Sequence, residues 1–328
     1  MQKRVYIGKI CNEDVQSVVQ EALHWAGWEA NIKPGIRIFL KPNFTYPFYK
    51  EGVTTSPQML EALVAVLTEM GAKVWIGESD GGSYAWTAEE ASEGHQVPEI
   101  CARYGARAVN LSKLPREMAE TNVAGCRVQV ELPSMLLHDI DVFITMPVPK
   151  VHVMTGVSLA FKNQWGCIPD VKRLRHHPDF PYVVLAINKL LRPKLAIFDG
   201  TYFLNRTGPM DGDPVPLNLL IVSDDLGAGD LVCCEIMRIN PNRIGHLRLA
   251  MREGMMPMSL SEVELNTDPL QFNDQRFVLK RTLMNWIALT AFRSKVATWL
   301  LYQSKFAKPV HDLLYLIRGR PEDVNPQW

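Results

Sequence analysis

The sequence predicts an α/β fold: a mostly parallel or mixed sheet with flanking helices, followed by a C-terminal helical tail. Three observations carry this reading. Short apolar runs alternate with stretches of helical periodicity, the pattern of βαβ units. The 328 residues are 47% hydrophobic, ample for a sizeable core. Charge is neutral overall but divided: residues 277–328 hold eight Lys/Arg against three Asp/Glu, leaving 27 against 32 before them. We therefore divide the chain into an α/β domain, 1–275, and a basic helical tail, 276–328.

Element by element, "RVYIGKI" and "IRIFL" read as strands on either side of an amphipathic helix over 13–27. In "SPQMLEALVAVLTEMGAKVWIGES", Ser56 is an N-cap, Pro57 takes the first helical position, Gly71 stops the helix and a strand follows. Further strands are predicted at "RVQVEL", "DVFITM", "VSLAF", "LAIFD" and "LNLLIVS", and helices over 88–104, 181–191 and 228–238. No internal repeat or low-complexity tract is visible.

Several classes fall away. No uncharged apolar run approaches the roughly 18 residues of a membrane span, and Met1–Lys9 lacks the apolar region of a signal peptide, so the expectation is a cytoplasmic protein. Cys11, Cys101, Cys126, Cys167, Cys233 and Cys234 form no C-x-x-C or C-x-x-H, so neither a structural zinc nor an intrinsic iron–sulfur cluster is predicted. Walker A and G-x-G-x-x-G fingerprints are missing, and nothing points to nucleic acid.

In open α/β sheets ligands sit beyond the carboxyl ends of strands, and these positions are unusually polar here. Lys41-Pro42-Asn43 follow one strand and Glu78-Ser79-Asp80 another; Lys150 and His152 follow a third, Lys162-Asn163 a fourth and Asp199 a fifth. Residues 150–177 alone carry Lys150, His152, Lys162, His176 and His177, which we take as catalytic candidates. Lys41, Asn43, Thr54, Glu78, Thr155, Asn163 and Asp199 are binding candidates. Clustered lysines suit a small anionic ligand, and their repulsion would drive one toward a neutral, basic amine. The histidines would exchange protons near neutral pH, and His176 and His177, being adjacent, would point in different directions. Gly156 and Gly166 would let backbone approach a ligand. "GESDG" at 77–81 fits G-x-S-x-G, but its helix begins too late for a nucleophile elbow. Glu78, Asp80, Asp170 and Asp199 could serve a metal-dependent hydrolase, although no ligand spacing identifies a metal.

The runs "KPNF…TTSPQMLEALVAVLTEMGAKVWIGES", "PKVHVMTGVSLAFKNQWGCIPD…HH", "RPKLAIFDG…TGPMDGDP" and "SDDLGAGD" make residues 36–253 resemble the DUF362 family, named for a domain of unknown function. The resemblance implies an α/β domain of undefined biochemistry, often found beside ferredoxin-type iron–sulfur domains, and hence a redox partner. This chain departs from such fused members in having a basic tail and no ferredoxin cysteines.

The function expected is an enzyme acting on a small anionic substrate by Lys/His acid–base chemistry. The alternatives are a non-catalytic anion-binding or redox-accessory protein, or a metal-dependent or serine hydrolase. The tail, with six Lys/Arg and no acid from Phe277 to His311, is expected to pack on the acidic body with a basic outer surface. Through 277–311 it would make weak peripheral membrane contact.

Overall fold

The computed structural model describes residues 3–10, 14–29, 32–302, 304, 305 and 309. Cys11, His311 and the rest of the tail lie outside the described residues. Strand β1 (Lys3–Lys9) leads through helix α1 (Val15–Trp25) to β2 (Arg37–Lys41), and α2 (Pro57–Glu69) returns the chain to β3 (Lys73–Glu78). Helices α3 (Ala88–Gly94) and α4 (Val97–Tyr104) precede β4 (Arg107–Asn110). A hairpin of β5 (Arg116–Val123) and β6 (Cys126–Pro133) stands apart, and α5 (Ser134–His138) leads to β7 (Val142–Thr145). Then come the short β8 (Lys150–His152) and β9 (Gly156–Ser158), α6 (Ala160–Asn163), α7 (Phe180–Leu191), and the long β10 (Leu195–Asn205) and β11 (Asp213–Ser223). Helices α8 (Leu226–Met237) and α9 (Gly245–Arg252), strand β12 (Val263–Leu265), and the tail helices α10 (Leu283–Arg293) and α11 (Lys295–Tyr302) complete the chain described.

Local chemistry sets these boundaries. Helix α2 begins where Ser56 Oγ accepts the Met59 N–H at 3.2 Å, with Pro57 at the first helical position. The single helix expected over 88–104 is two, broken at Gln96 in the left-handed region (φ 59°), with Pro98 in the first turn of α4. There its missing N–H costs nothing. The strand expected at "VSLAF" ends at Ser158, and its last residues belong to α6.

The main sheet runs β12-β1-β11-β10-β7-β2-β3-β4. Strand β11 is antiparallel to both its neighbours, and every other pair along this path is parallel. From β2 the chain moves outward through β3 and β4, then reverses to place β7 and β10 on the other flank of β2. The switch point therefore lies between β2 and β7, where the two flanking connections diverge and open a crevice.

Alternation of side chains loads both faces with apolar groups, as expected of a sheet covered by helices on each side. Ile38, Leu40, Ile144 and Ile197 join the core under α1 and α2, while Phe39, Phe143 and Phe198 join the opposite core with α7 and α8. Tail helices α10 and α11 pack through Leu289, Thr298 and Tyr302. The Phe292 ring lies 4.9 Å from that of His177, and Lys295 pairs with Asp179 at 3.2 Å. On their outer face Trp286, Ile287, Val296 and Trp299 are all more than half exposed, and Lys280 and Lys295 are exposed as well. Among the described residues no helix is long and apolar enough to cross a membrane.

Candidate functional site

A cavity of about 350 Å³ opens beyond the carboxyl ends of β2 and β3. Lys41 and Glu78 are the last residues of these paired strands, so the sheet itself brings them together. Lys41, 1% exposed, places Nζ 2.5 Å from Glu78 Oε2 and also donates to the Pro42 carbonyl at 2.8 Å. Glu78 accepts two further hydrogen bonds, from the Phe44 and Ser79 amides. Gly166 closes over the pair: a Cβ there would press on Glu78 Oε1 and lie 3.0 Å from Lys41 Nζ.

Helix α6 supplies the next two residues. Its first amides, Ala160 N and Phe161 N, donate to the Asp230 carboxyl at 2.7 and 3.2 Å, so a side chain from α8 caps a helix some 70 residues earlier. Burial raises the Asp230 pKa to about 8 against the opposing pull of those amides. Asn163 Nδ2 donates to the Lys41 carbonyl and to Thr145 Oγ1, both at 2.9 Å, which pins α6 to β2 and β7. Lys162 lines the cavity, and its Nζ has no hydrogen-bond or ion-pair partner among the described residues. Burial, then Arg173 and Lys41, lowers its pKa to about 8, with Glu78 pulling the other way. Arg173 donates to the Asp80 carbonyl at 2.7 Å. Burial lowers its pKa too, but a guanidinium keeps its charge.

Two neutral imidazoles face this cationic floor. His152 Nδ1 accepts the Met154 amide at 3.1 Å, which places the ring proton on Nε2. His177 Nδ1 stands 2.9 Å from the Leu174 carbonyl, which can only accept, so the proton is on Nδ1 and Nε2 keeps its lone pair. The cavity wall thus carries one Nε2–H donor and one Nε2 acceptor. Burial, then Lys162, holds His152 well below the ordinary histidine value. His177 is lowered to about 4, again chiefly by burial. These shifts correct the expectation of histidines titrating near neutrality. Similarly, burial outweighs lysine–lysine repulsion in lowering Lys150 and Lys162.

Of the residues singled out from sequence, Lys41, Asn43, Glu78, His152, Lys162, Asn163 and His177 line this one cavity. The others go elsewhere. Lys150 is buried and donates to the Val53 carbonyl and, at 3.4 Å, to Asn43 Oδ1. Thr54 Oγ1 accepts the Lys50 amide, and the Thr155 hydroxyl donates to the Val157 carbonyl. Asp199 accepts the Ser56 amide at 2.7 Å and the Thr201 hydroxyl at 2.7 Å, anchoring the start of α2. His176 turns away from His177 and lies 3.3 Å from Arg175 Nε. Asp80 accepts from Ala88 N and Asn110, and Asp170 pairs with Arg175 at 2.8 Å, so the four carboxylates considered for a metal are separately engaged. Among the described residues no three His, Cys, Asp or Glu side chains form a group that could hold a metal ion. Ser79 Oγ is buried without a partner among them, and after it comes a short turn, Gly82–Tyr84, before α3. Cys167, Cys233 and Cys234 are buried.

Sequence reasoning passed over Arg173 and the aromatic walls, Phe44, Trp86 and Trp165. Arg173 was within reach, since it lies in the same polar stretch as Lys162 and His177. Nothing in the local pattern marks Trp86 or the tail's Phe292 as neighbours of that stretch.

The chain is 27% identical over 240 residues to the "Thylakoid-associated protein sll1697" of Synechocystis sp. (strain ATCC 27184 / PCC 6803 / Kazusa), covering 69% of this chain and 70% of that protein. It also matches the crystal structure of a protein from Thermotoga maritima at 14% identity with a TM-score of 0.39, covering 62% of this chain and 54%, just over half, of that one. Residues 38–235, which include Lys41, Glu78 and all of α6, match the family described as Domain of unknown function (DUF362), and the chain belongs to that family.

Proposed function

We propose that this chain is an enzyme that binds a small anionic substrate in the cavity and acts on it by proton transfer through Lys162, His152 and His177. The observation that carries the reading is Lys162. Lys41 is neutralised by Glu78 at 2.5 Å, whereas the Lys162 ammonium has no counter-ion among the described residues and sits beside Arg173, so the site has unbalanced positive charge. With a pKa of about 8, Lys162 is mainly an ammonium at neutral pH, yet roughly a tenth of it is free amine at pH 7. The same side chain can hold an anion or take a proton. His152 Nε2–H can donate to an oxyanion and His177 Nε2 can accept a proton or hydrogen bond. A non-catalytic anion-binding or redox-accessory protein would share the anion site and show no turnover.

Sulfate keeps its charge between pH 6 and 10, so calorimetric titration with sulfate isolates the protein's contribution. Affinity at the Lys162 site is expected to be level below pH 8 and to fall about tenfold per unit above it, as the ammonium is lost. Lys162→Gln is expected to remove that site. A flat profile together with unchanged binding in the variant would refute the reading.

A second reading concerns location. Trp286, Ile287, Val296 and Trp299 are exposed on α10 and α11, Lys280 and Lys295 are exposed on the same tail, and there is no acid from 277 to 311. We read this face as a contact with anionic lipid, each basic residue near the surface contributing about 1 kcal/mol. The thylakoid-associated relative is in keeping with that. Full-length protein is expected to sediment with phosphatidylglycerol-containing liposomes at low salt, and Trp286→Ser/Trp299→Ser to lose most of that binding. Equal recovery of both proteins in the supernatant would exclude the contact.

A further inference from the structure

Beside the Lys162 cavity lies a second chamber of about 490 Å³, and Met154, His177 and Phe292 line both. Arg243, Arg281 and Arg293 line the second chamber, and no Asp or Glu does. Arg281 is held in place by its Nε, which donates to the Val153 carbonyl at 2.6 Å, and by stacking over Trp286. The chamber's wall includes Gly245 and His246, the first residues of α9, whose opening amides carry partial positive charge. His246 is 1% exposed, and its Nε2 has no partner among the described residues. An unsatisfied buried imidazole in the wall of a chamber lined by three arginines is costly unless something polar completes it.

We propose that the two chambers form one bipartite site for an elongated ligand with an anionic group at each end. One sulfate-, phosphate- or carboxylate-like end is held by the arginines of the second chamber. The other lies at Lys162 and Arg173, and the connecting portion passes the His177 and Phe292 rings. The proposal rests on the Lys162 reading and adds to it the substrate class: a doubly anionic molecule with an apolar middle.

Calorimetry on the full chain separates the two claims. Wild type is expected to bind two sulfates, Lys162→Gln one, and Arg243→Gln/Arg293→Gln one. Alkane-α,ω-disulfonates of increasing length are expected to bind one per chain, with an optimum length at least about 100-fold tighter than methanesulfonate. That optimum should vanish in either variant. If Lys162→Gln removes a sulfate but the arginine variant does not, or if no disulfonate exceeds methanesulfonate, the bipartite site is wrong while the Lys162 site stands. If Lys162→Gln changes nothing, the underlying reading fails as well.

Discussion

Glu78→Ala is expected to cost about 3–5 kcal/mol of folding stability, because it strands the Lys41 ammonium in a place where it is 1% exposed. The Pro42 carbonyl is the remaining partner of Lys41 Nζ, and the Phe44 and Ser79 amides lose their common acceptor. Such a loss is comparable to the whole stability margin of many domains. Denaturant unfolding measures it directly. Lys41→Met/Glu78→Leu is the informative companion: replacing both members with apolar side chains of similar size removes the stranded charge, and is expected to recover much of the loss. If the double variant is as unstable as Glu78→Ala, the pair does not act through charge compensation.

Asp230→Ala is expected to cost about 2–6 kcal/mol, since it leaves the buried Ala160 and Phe161 amides without an acceptor, at about 1–3 kcal/mol each. It should also weaken sulfate binding, because α6 carries Lys162. The pH dependence has a definite sign. The unfolded carboxyl titrates near 3.8 and the folded one at about 8, so between these values the folded state holds a proton that the unfolded state releases. Stability from this group is therefore fully present below about pH 4 and is lost as pH rises through 8. Asp230→Asn lacks that titration, so its deficit relative to wild type should shrink from pH 5 to pH 8, by up to about 1.4 kcal/mol per unit. A deficit that stays level over this interval would show that Asp230 is ionised in the native protein.

Strands β1, β2, β3, β6, β7, β10 and β11 were legible as local apolar runs, whereas β4, β5, β8 and β12, short or polar, were not. The placement of Lys41 and Glu78 at two strand ends followed from that alone. Lys162 was singled out for the wrong local reason: "VSLAF" has the composition of a strand, and α6 begins within it because Asp230 arrives from α8 to cap it. Lys150 illustrates the converse. Its sequence context matches that of Lys41, yet the pairing of β8 with β10 and β9 buries its amine against Val53 rather than in the cavity. His246 and the second chamber were invisible because α9 meets α7, and α10 meets the Arg173–Asp179 turn, through contacts distant in sequence for which no period or spacing gives a sign.

Phe292 joins these threads. It reaches the cavity from α10, well beyond the 38–235 segment that defines the family, and stands against His177 in the wall between the two chambers. The 38–235 segment thus supplies the charged floor, and a later stretch of chain supplies the partition. On the reading proposed above, a protein built on the same segment with a different C-terminal extension would keep the cationic floor and lack this ring. Substrate choice across such proteins would then be written in their appendages, and exchanging extensions between them would exchange ligand length while leaving the cationic floor intact.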